Sequence, residues 1–211
     1  MRDSELEAEV ADLYDERLPY HNFAHALDVV AAGEDIIHRC EQEGVRIDSD
    51  IVYAASLFHD AGFHRDHAAL GFDCKEAYSA ALAEEILPRH ERFAGKVGKV
   101  VDAIMATGRD GSFTTTEQKA VRAADLSGLA APFDTFFAKA LALREEAELL
   151  SGKQTPWGDW VRGVERTLRF YLSQEIRLTS YYLNDAGESK FHSAVRTNLE
   201  RLLKATEPAG A

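Results

Sequence analysis

The chain has 211 residues, of which 45% are hydrophobic, so it can bury a core of ordinary domain size. Its formal net charge of −12 and its pI near 5.1 argue against a nucleic-acid polymer or an anionic membrane surface as its partner. The first residues lack the apolar run of a signal peptide, no window approaches a membrane span, and the two cysteines predict no disulfide framework. We therefore expect a soluble, cytoplasmic protein.

Helical spacing of apolar residues recurs along the chain, whereas the alternation typical of strands is nearly absent. The pattern predicts an all-α fold with helices at about 4–15, 22–43, 49–61, 73–87, 90–107, 116–129, 133–150, 157–182 and 189–205. Asn22 is the predicted N-cap of the second helix and Gly44 its stop. No repeat or long linker divides the chain, so we predict one domain, 1–211, with a motif-bearing core at about 20–130 and further helices at about 131–205.

Two predicted helices, "FAHALDVVAAGEDII" and "IVYAASLFHD", are apolar nearly all round, which predicts that they lie inside a helical bundle. His25 lies in the first helix, and a lone buried histidine is more often a core residue bonded to a carbonyl. His59 and Asp60 end the second helix, and Asp125 follows in the apolar segment "AVRAADLSGLA". Because buried aspartates are rare unless paired or metal-bound, this mixed imidazole and carboxylate set indicates Mn, Fe, Zn, Ni or Co.

The order H…HD…D on successive apolar helices, between Tyr20 and Leu129, resembles the HD-domain superfamily of metal-dependent phosphohydrolases, and within it the small bacterial members. The resemblance implies an HD-domain helical bundle in which one divalent metal is bound by His25, His59, Asp60 and Asp125. It further implies that metal-bound water attacks a phosphomonoester or a phosphodiester, with nucleotides as one candidate class. The implied partner is therefore a small-molecule phosphoester.

Two catalytic residues follow from the same resemblance. The stretch "YHNFAHALDV" is similar to an element of cyclic nucleotide phosphodiesterases in which the first histidine protonates the leaving oxygen, and this implies that role for His21. In "KEAYSAALAEEIL", Glu76 matches a glutamate that lies near the metal-bound water in small family members. The alternatives are a solvent-exposed histidine at a helix start and a solvated acidic face.

Substrate contacts are less clearly marked, because the chain departs from the family pattern. Many members have "HDIGK", whose lysine contacts phosphate, but here "HDAGFH" places Phe63 at that position. His64, Arg65 or His67 are the candidates to replace the lysine. Arg122 can either reach phosphate or pair with a neighbour, and structural pairing is favoured.

Dinuclear family members carry a further histidine near the position of "IMATGRD", which has none here, so one metal ion is expected. A second ion held by additional histidines such as His64, His67 and His90 is left open. Two other functions also stay open: a di-iron oxygenase with the same fold, and a non-catalytic sensor that keeps the metal. The aromatic rows "FDTFF" and "WVRGVERTLRFYL" fit core packing or a homodimer interface.

Overall fold

The computed structural model describes residues 2–208, and it confirms the prediction of an all-α fold. Within this range the chain forms nine α-helices and no strand beyond an isolated bridge between Leu183 and Ser189. The helices are α1 (Ser4–Ala11), α2 (Phe23–Gln42), α3 (Ser49–Phe58), α4 (Lys75–Ile86), α5 (Val97–Met105), α6 (Thr116–Asp125), α7 (Phe133–Ser151), α8 (Trp157–Leu172) and α9 (Lys190–Leu202). No single helix in the described range is both long and apolar enough to cross a membrane; Thr116–Ala130 and Phe133–Ser151 pass that test only as a bent pair.

Helix α2 begins and ends where its capping residues predict. The side-chain oxygen of Asn22 accepts a hydrogen bond from the backbone nitrogen of His25 at 3.1 Å, as an N-cap residue does. Beyond the other end, Gly44 has a φ of +69°, a conformation that glycine adopts without strain. Both predicted helix ends are therefore confirmed, and the N-cap fixes the backbone of His25.

The predicted helix at 90–107 is wrong at its beginning. Residues Glu91–Phe93 form a separate 3-10 turn, and the α-helix starts only at Val97. Between them, Gly95 has a φ of +72°, which takes the backbone out of the helical conformation. The apolar spacing continues across this break, and that continuity is why the sequence pattern alone extended the helix.

The predicted helix at 157–182 is too long at its end. The α-helix stops at Leu172, and Ser180–Tyr182 form a separate 3-10 turn. At the stop, the hydroxyl of Ser173 donates a hydrogen bond to the carbonyl of Phe170 at 2.6 Å. Serine side chains compete in this way with the backbone bonds of a helix. No glycine or proline marks the position, so the local residue types carry little warning of it.

The chain divides into two compact units, one of residues up to Asp125 and one of residues from Leu126 onward. The boundary lies near the predicted end of the motif-bearing core, and the prediction of a single domain stays a prediction. In the second unit, α7, α8 and α9 pack around a hydrophobic cluster. Its buried members are Phe136, Ala140, Trp160, Leu168, Val195, Leu199 and Leu202.

In the first unit, α3 is the central helix, and each residue from Ile51 to Phe58 is buried. It contacts α2, α5 and α6, which explains why its sequence is apolar on every face. The two residues that follow it, His59 and Asp60, are 0% and 3% exposed. Polar side chains are thereby held inside an apolar core, where they need partners.

The turn after Asp60 passes tightly against α4. Gly62 there has a φ of +74°, and a Cβ atom added to it would lie 2.5 Å from the ring of Tyr78. Its backbone nitrogen also donates a hydrogen bond to the carbonyl of Leu13 at 3.0 Å. Glycine is therefore required at this point for both its conformation and its size, and it fixes where the chain leaves the HD dipeptide.

Candidate metal centre

Three helix ends of the first unit bring the predicted ligands together. His25 lies on the first turn of α2, His59 and Asp60 directly follow α3, and Asp125 is the last residue of α6. Helix ends allow neighbouring side chains to point toward a common centre, which a regular helix interior does not. The arrangement therefore depends on where the helices stop as well as on which residues they carry.

Two imidazole nitrogens of this cluster lie near one carboxylate oxygen. Oδ2 of Asp60 lies 2.9 Å from Nε2 of His59 and 3.6 Å from Nε2 of His25. One ligand atom from each of the three residues lies within 4.8 Å of the others. Two imidazoles and a carboxylate at this spacing form a donor set that suits a divalent transition metal.

The hydrogen bonds of His59 test whether a metal fits. Its Nδ1 lies 2.8 Å from the carbonyl oxygen of Ser56, and because a carbonyl only accepts, Nδ1 must carry the proton. In the neutral ring Nε2 then presents a lone pair at a fully buried position, where it faces carboxylate oxygens that cannot donate to it. A backbone carbonyl that orients an imidazole in this way is typical of metal-binding histidines. The residues therefore fit a metal ion.

The electrostatics of the cluster favour a positive charge at the same place. Burial disfavours a charged imidazole, but the carboxylates of Asp60 and Asp125 outweigh it and raise the pKa of His59 to about 10. Burial also opposes the charge of Asp60, yet His59 and Lys75 hold the pKa of that carboxyl well below its usual range. By contrast, burial lowers the pKa of His25, which favours its neutral, ligating form. A proton on His59 and a divalent cation would compete for the same carboxylates.

Asp125 borders the cluster from the end of α6. Its Oδ1 lies 3.4 Å from Nε2 of His59 and 3.8 Å from Nε2 of His25, and its side chain is 22% exposed. The structure thus brings all four predicted ligands together, with Asp125 on the more open side. Its assignment as a ligand stays a prediction, since it faces the imidazoles but does not belong to the tightest group of three.

His21 lies beside the same carboxylate. Its Nε2 is 3.8 Å from Oδ2 of Asp60, and its ring stacks on Phe63 with centroids 3.7 Å apart and planes 14° apart. Its ring also meets that of His25 edge to face, with centroids 5.9 Å apart. Phe63 therefore holds the plane of the His21 ring.

Lys75 contacts two residues of this cluster, which the amino-acid sequence did not predict. Its Nζ lies 2.6 Å from Oδ1 of Asp60 and 3.1 Å from Oε1 of Glu76. Burial opposes its charge, but these two carboxylates raise its pKa above the ordinary value. The motif "KEAYSAALAEEIL" contains this lysine directly before Glu76, but nothing in the motif shows that it reaches back to the HD dipeptide.

Glu76 is buried on the first turn of α4, where Lys75 connects it to Asp60. The loop after α5 also comes close, since a Cβ atom added to Gly108 would lie 3.4 Å from the carboxyl carbon of Glu76. Glu76 therefore does not belong to a solvated acidic face, which was the alternative to a functional role. Its assignment to catalysis stays a prediction.

The two predicted substrate-binding residues differ from this set. Arg122 is fully buried, and its guanidinium donates hydrogen bonds to the carbonyls of Ala106, Gly108 and Arg109 at 2.6, 2.6 and 2.9 Å. These contacts favour structural pairing over phosphate binding.

His64 is half-buried, and burial and the nearby Arg65 lower its pKa. None of its described contacts supports a role in binding substrate.

Comparisons with known proteins concern the fold. No protein-family model and no curated protein matches the sequence. Among solved structures, the phosphodiesterase domain of the RhoPDE fusion protein from the choanoflagellate Salpingoeca rosetta is similar, with a TM-score of 0.68 and 16% identity over 93% of this chain and 81% of that chain. The phosphodiesterase domain of Salpingoeca rosetta rhodopsin phosphodiesterase has a TM-score of 0.67 and 15% identity, over 95% of this chain and 79% of that chain.

A third structure, LmjPDEB1 in complex with IBMX, has a TM-score of 0.64 and 17% identity over 93% of this chain and 77% of that chain. At such identities the likeness shows a shared helical fold. The chain therefore has the all-helical fold of these phosphodiesterase domains, and its chemistry has to be judged from its own residues.

Proposed function

We propose that this chain is an HD-type, metal-dependent hydrolase of phosphomonoesters or phosphodiesters. The observation that carries the proposal is the geometry around Nε2 of His59, which is fully buried and lies 2.9 Å from Oδ2 of Asp60 and 3.4 Å from Oδ1 of Asp125. A divalent cation there would accept the Nε2 lone pair of the neutral ring and offset the charge of both carboxylates. We assign its binding to His25, His59, Asp60 and Asp125.

When bound, the metal ion would lower the pKa of a water molecule and offset the charge that builds on phosphoryl oxygens. The protein's own side chains would move the protons. We assign His21 to protonate the departing oxygen, because its imidazole borders Asp60 and its ring is held by Phe63. General acid catalysis of this kind contributes about a hundredfold to ten-thousandfold in rate. We assign Glu76, which Lys75 connects to Asp60, to accept a proton from the attacking water.

The proposed substrate class is a small phosphoester, with nucleotides as the first compounds to test. The named activity of the similar structures, phosphodiesterase, supports hydrolysis of phosphoric esters. The binding of IBMX by one of them supports a small, nucleotide-like ligand. The net charge of −12 favours a discrete small molecule over a nucleic-acid polymer.

The proposal is tested by metal loading followed by a substrate panel. The protein would be reconstituted with Mn²⁺, Co²⁺, Zn²⁺ or Fe²⁺ and assayed with p-nitrophenyl phosphate, bis(p-nitrophenyl) phosphate, nucleoside monophosphates and cyclic nucleotides. Asp60→Asn should lose both metal and hydrolysis. Asp134→Asn is the matched control, because the Asp134 side chain is 97% exposed on α7, and it should keep both.

The competing functions have distinct outcomes in the same experiment. Metal-loaded protein that turns over no phosphoester of the panel would contradict the proposal and favour a non-catalytic sensor. Two irons per chain with consumption of oxygen would instead favour an oxygenase. An Asp60→Asn protein that hydrolyses the same phosphoesters at the wild-type rate would contradict this site.

A further inference from the structure

The two carboxylate oxygens of Asp60 face different surroundings. Oδ2 faces three imidazoles, with Nε2 of His59, His25 and His21 at 2.9, 3.6 and 3.8 Å. Oδ1 lies 2.6 Å from the ammonium of Lys75. A carboxylate that bridges two metal ions commonly gives one oxygen to each ion. Here one of the two oxygens already has a charged partner from the protein itself.

Lys75 is placed to keep that contact. It is the first residue of α4, and its Nζ also lies 3.1 Å from Oε1 of Glu76, so one ammonium joins two carboxylates. Its side chain is 32% exposed, which leaves most of the stem packed against the protein. An ammonium group has three hydrogens to donate, and two of them can serve these two carboxylates.

The charge of the cluster also argues against a second metal ion. Lys75 contributes one positive charge, against three carboxylates from Asp60, Asp125 and Glu76. With neutral histidines the formal charge is −2, which a single divalent ion cancels. A second divalent ion next to Lys75 would meet repulsion from the ammonium in a poorly solvated place, where charges interact more strongly than in water.

We propose that the ammonium of Lys75 takes the place of a second cation, so that this site binds one metal ion per chain. The inference rests on the proposed metal site and specifies its stoichiometry. Lys75 acts as a positioning residue: it holds Oδ1 of Asp60 and leaves Oδ2 to face the histidines. A reaction that needs two adjacent metal ions, such as di-iron oxygen chemistry, is then unsuited to the wild-type site.

The test is a count of bound metal in the full-length protein. Wild type, Lys75→Met and Lys96→Met would be equilibrated with Mn²⁺, separated from unbound ion and measured by plasma mass spectrometry. Lys75→Met keeps an unbranched apolar stem and removes the charge. Lys96→Met is the matched control, because Lys96 also joins two carboxylates, those of Asp48 and Asp50, and its side chain is 29% exposed.

We expect one Mn²⁺ in wild type and in Lys96→Met, and two in Lys75→Met, where Asp60 and Glu76 become free to hold another ion. Electron paramagnetic resonance should then show coupled Mn²⁺ ions in Lys75→Met alone. Two ions in wild type would overturn the inference, and this measurement decides the matter even if Lys75→Met fails to fold. A folded Lys75→Met protein that still binds one ion would overturn it as well. No bound ion in wild type would instead contradict the proposed metal site.

Discussion

Replacing Arg122 by methionine separates a structural arginine from one that binds substrate. The guanidinium donates to three carbonyls on the segment after α5, and methionine keeps the aliphatic stem while removing each of these bonds. A hydrogen bond from a charged donor contributes about 1.5 to 3 kcal/mol. Of these three carbonyls, only that of Ala106 belongs to a fully buried residue. The carbonyl of Arg109 belongs to an exposed residue and can bond to water when the guanidinium is removed.

We therefore expect Arg122→Met to lower the free energy of unfolding by about 3 to 5 kcal/mol, less than the sum of three separate bonds and in the range for breaking a buried charged pair. Urea unfolding followed by circular dichroism would measure the loss as a shift in midpoint at constant slope. Arg169→Met is the control. The Arg169 side chain is 62% exposed on α8, so its loss should be within about 0.5 kcal/mol.

Kinetics complete the test of Arg122. If the residue is structural, the folded fraction of Arg122→Met should bind a phosphoester with a KM close to that of wild type. A loss of stability below about 1 kcal/mol, together with a KM raised tenfold or more, would refute the structural assignment and restore phosphate binding.

Three further predictions address the metal, the proton donor and stability in acid. Asp125→Asn should keep the fold and reduce metal affinity at least tenfold, measured by isothermal titration with Mn²⁺; unchanged affinity in a destabilised protein would mark Asp125 as a structural acid. His21→Asn should keep the metal and slow an alkyl phosphoester at least tenfold more than an aryl ester, whose leaving group needs little protonation, and equal losses would reject the general-acid role. For Asp50, burial raises the pKa but Lys96 and Arg92 outweigh it and lower the pKa below its ordinary value, so its stabilisation is present at neutral pH, begins to weaken as the pH falls below about 4 and is lost as the pH falls through the lowered pKa. Asp50→Asn should accordingly cost about 1 kcal/mol in urea unfolding at pH 7 and progressively less as the pH falls below about 4, and a difference that stays constant into acid would contradict this reasoning.

Local chemistry explains which features the sequence predicts well. Asn22 caps α2 and Gly44 ends it, because a side-chain acceptor and a residue tolerant of positive φ act within a few positions of themselves. The same locality explains the two errors in helix length. Apolar residues keep their helical spacing past Gly95 and past Ser173. A helix end that no strong helix-breaking residue marks is therefore missed, because the spacing on either side of it predicts a continuous helix.

The candidate metal centre was predictable in its residue types. His25, His59 and Asp60 lie in segments too apolar for uncompensated polar side chains, and this conflict is visible in the amino-acid sequence alone. Their mutual distances were not visible, because they depend on how α2 and α3 pack together. The sequence therefore determined that these residues need a shared partner, and the tertiary structure decided that they face one another.

Lys75 and Arg122 show what only the tertiary structure decided. Lys75 lies fifteen positions after Asp60, beyond a turn fixed by Gly62, and the direction of that turn sets whether the ammonium reaches the carboxylate. The position of Arg122 on its helix would be the same whether its guanidinium bound phosphate or backbone carbonyls. Only the path of the loop after α5 places carbonyl groups within its reach. Contacts of this kind are set by loop geometry and side-chain direction, which leave no periodic trace in a single sequence.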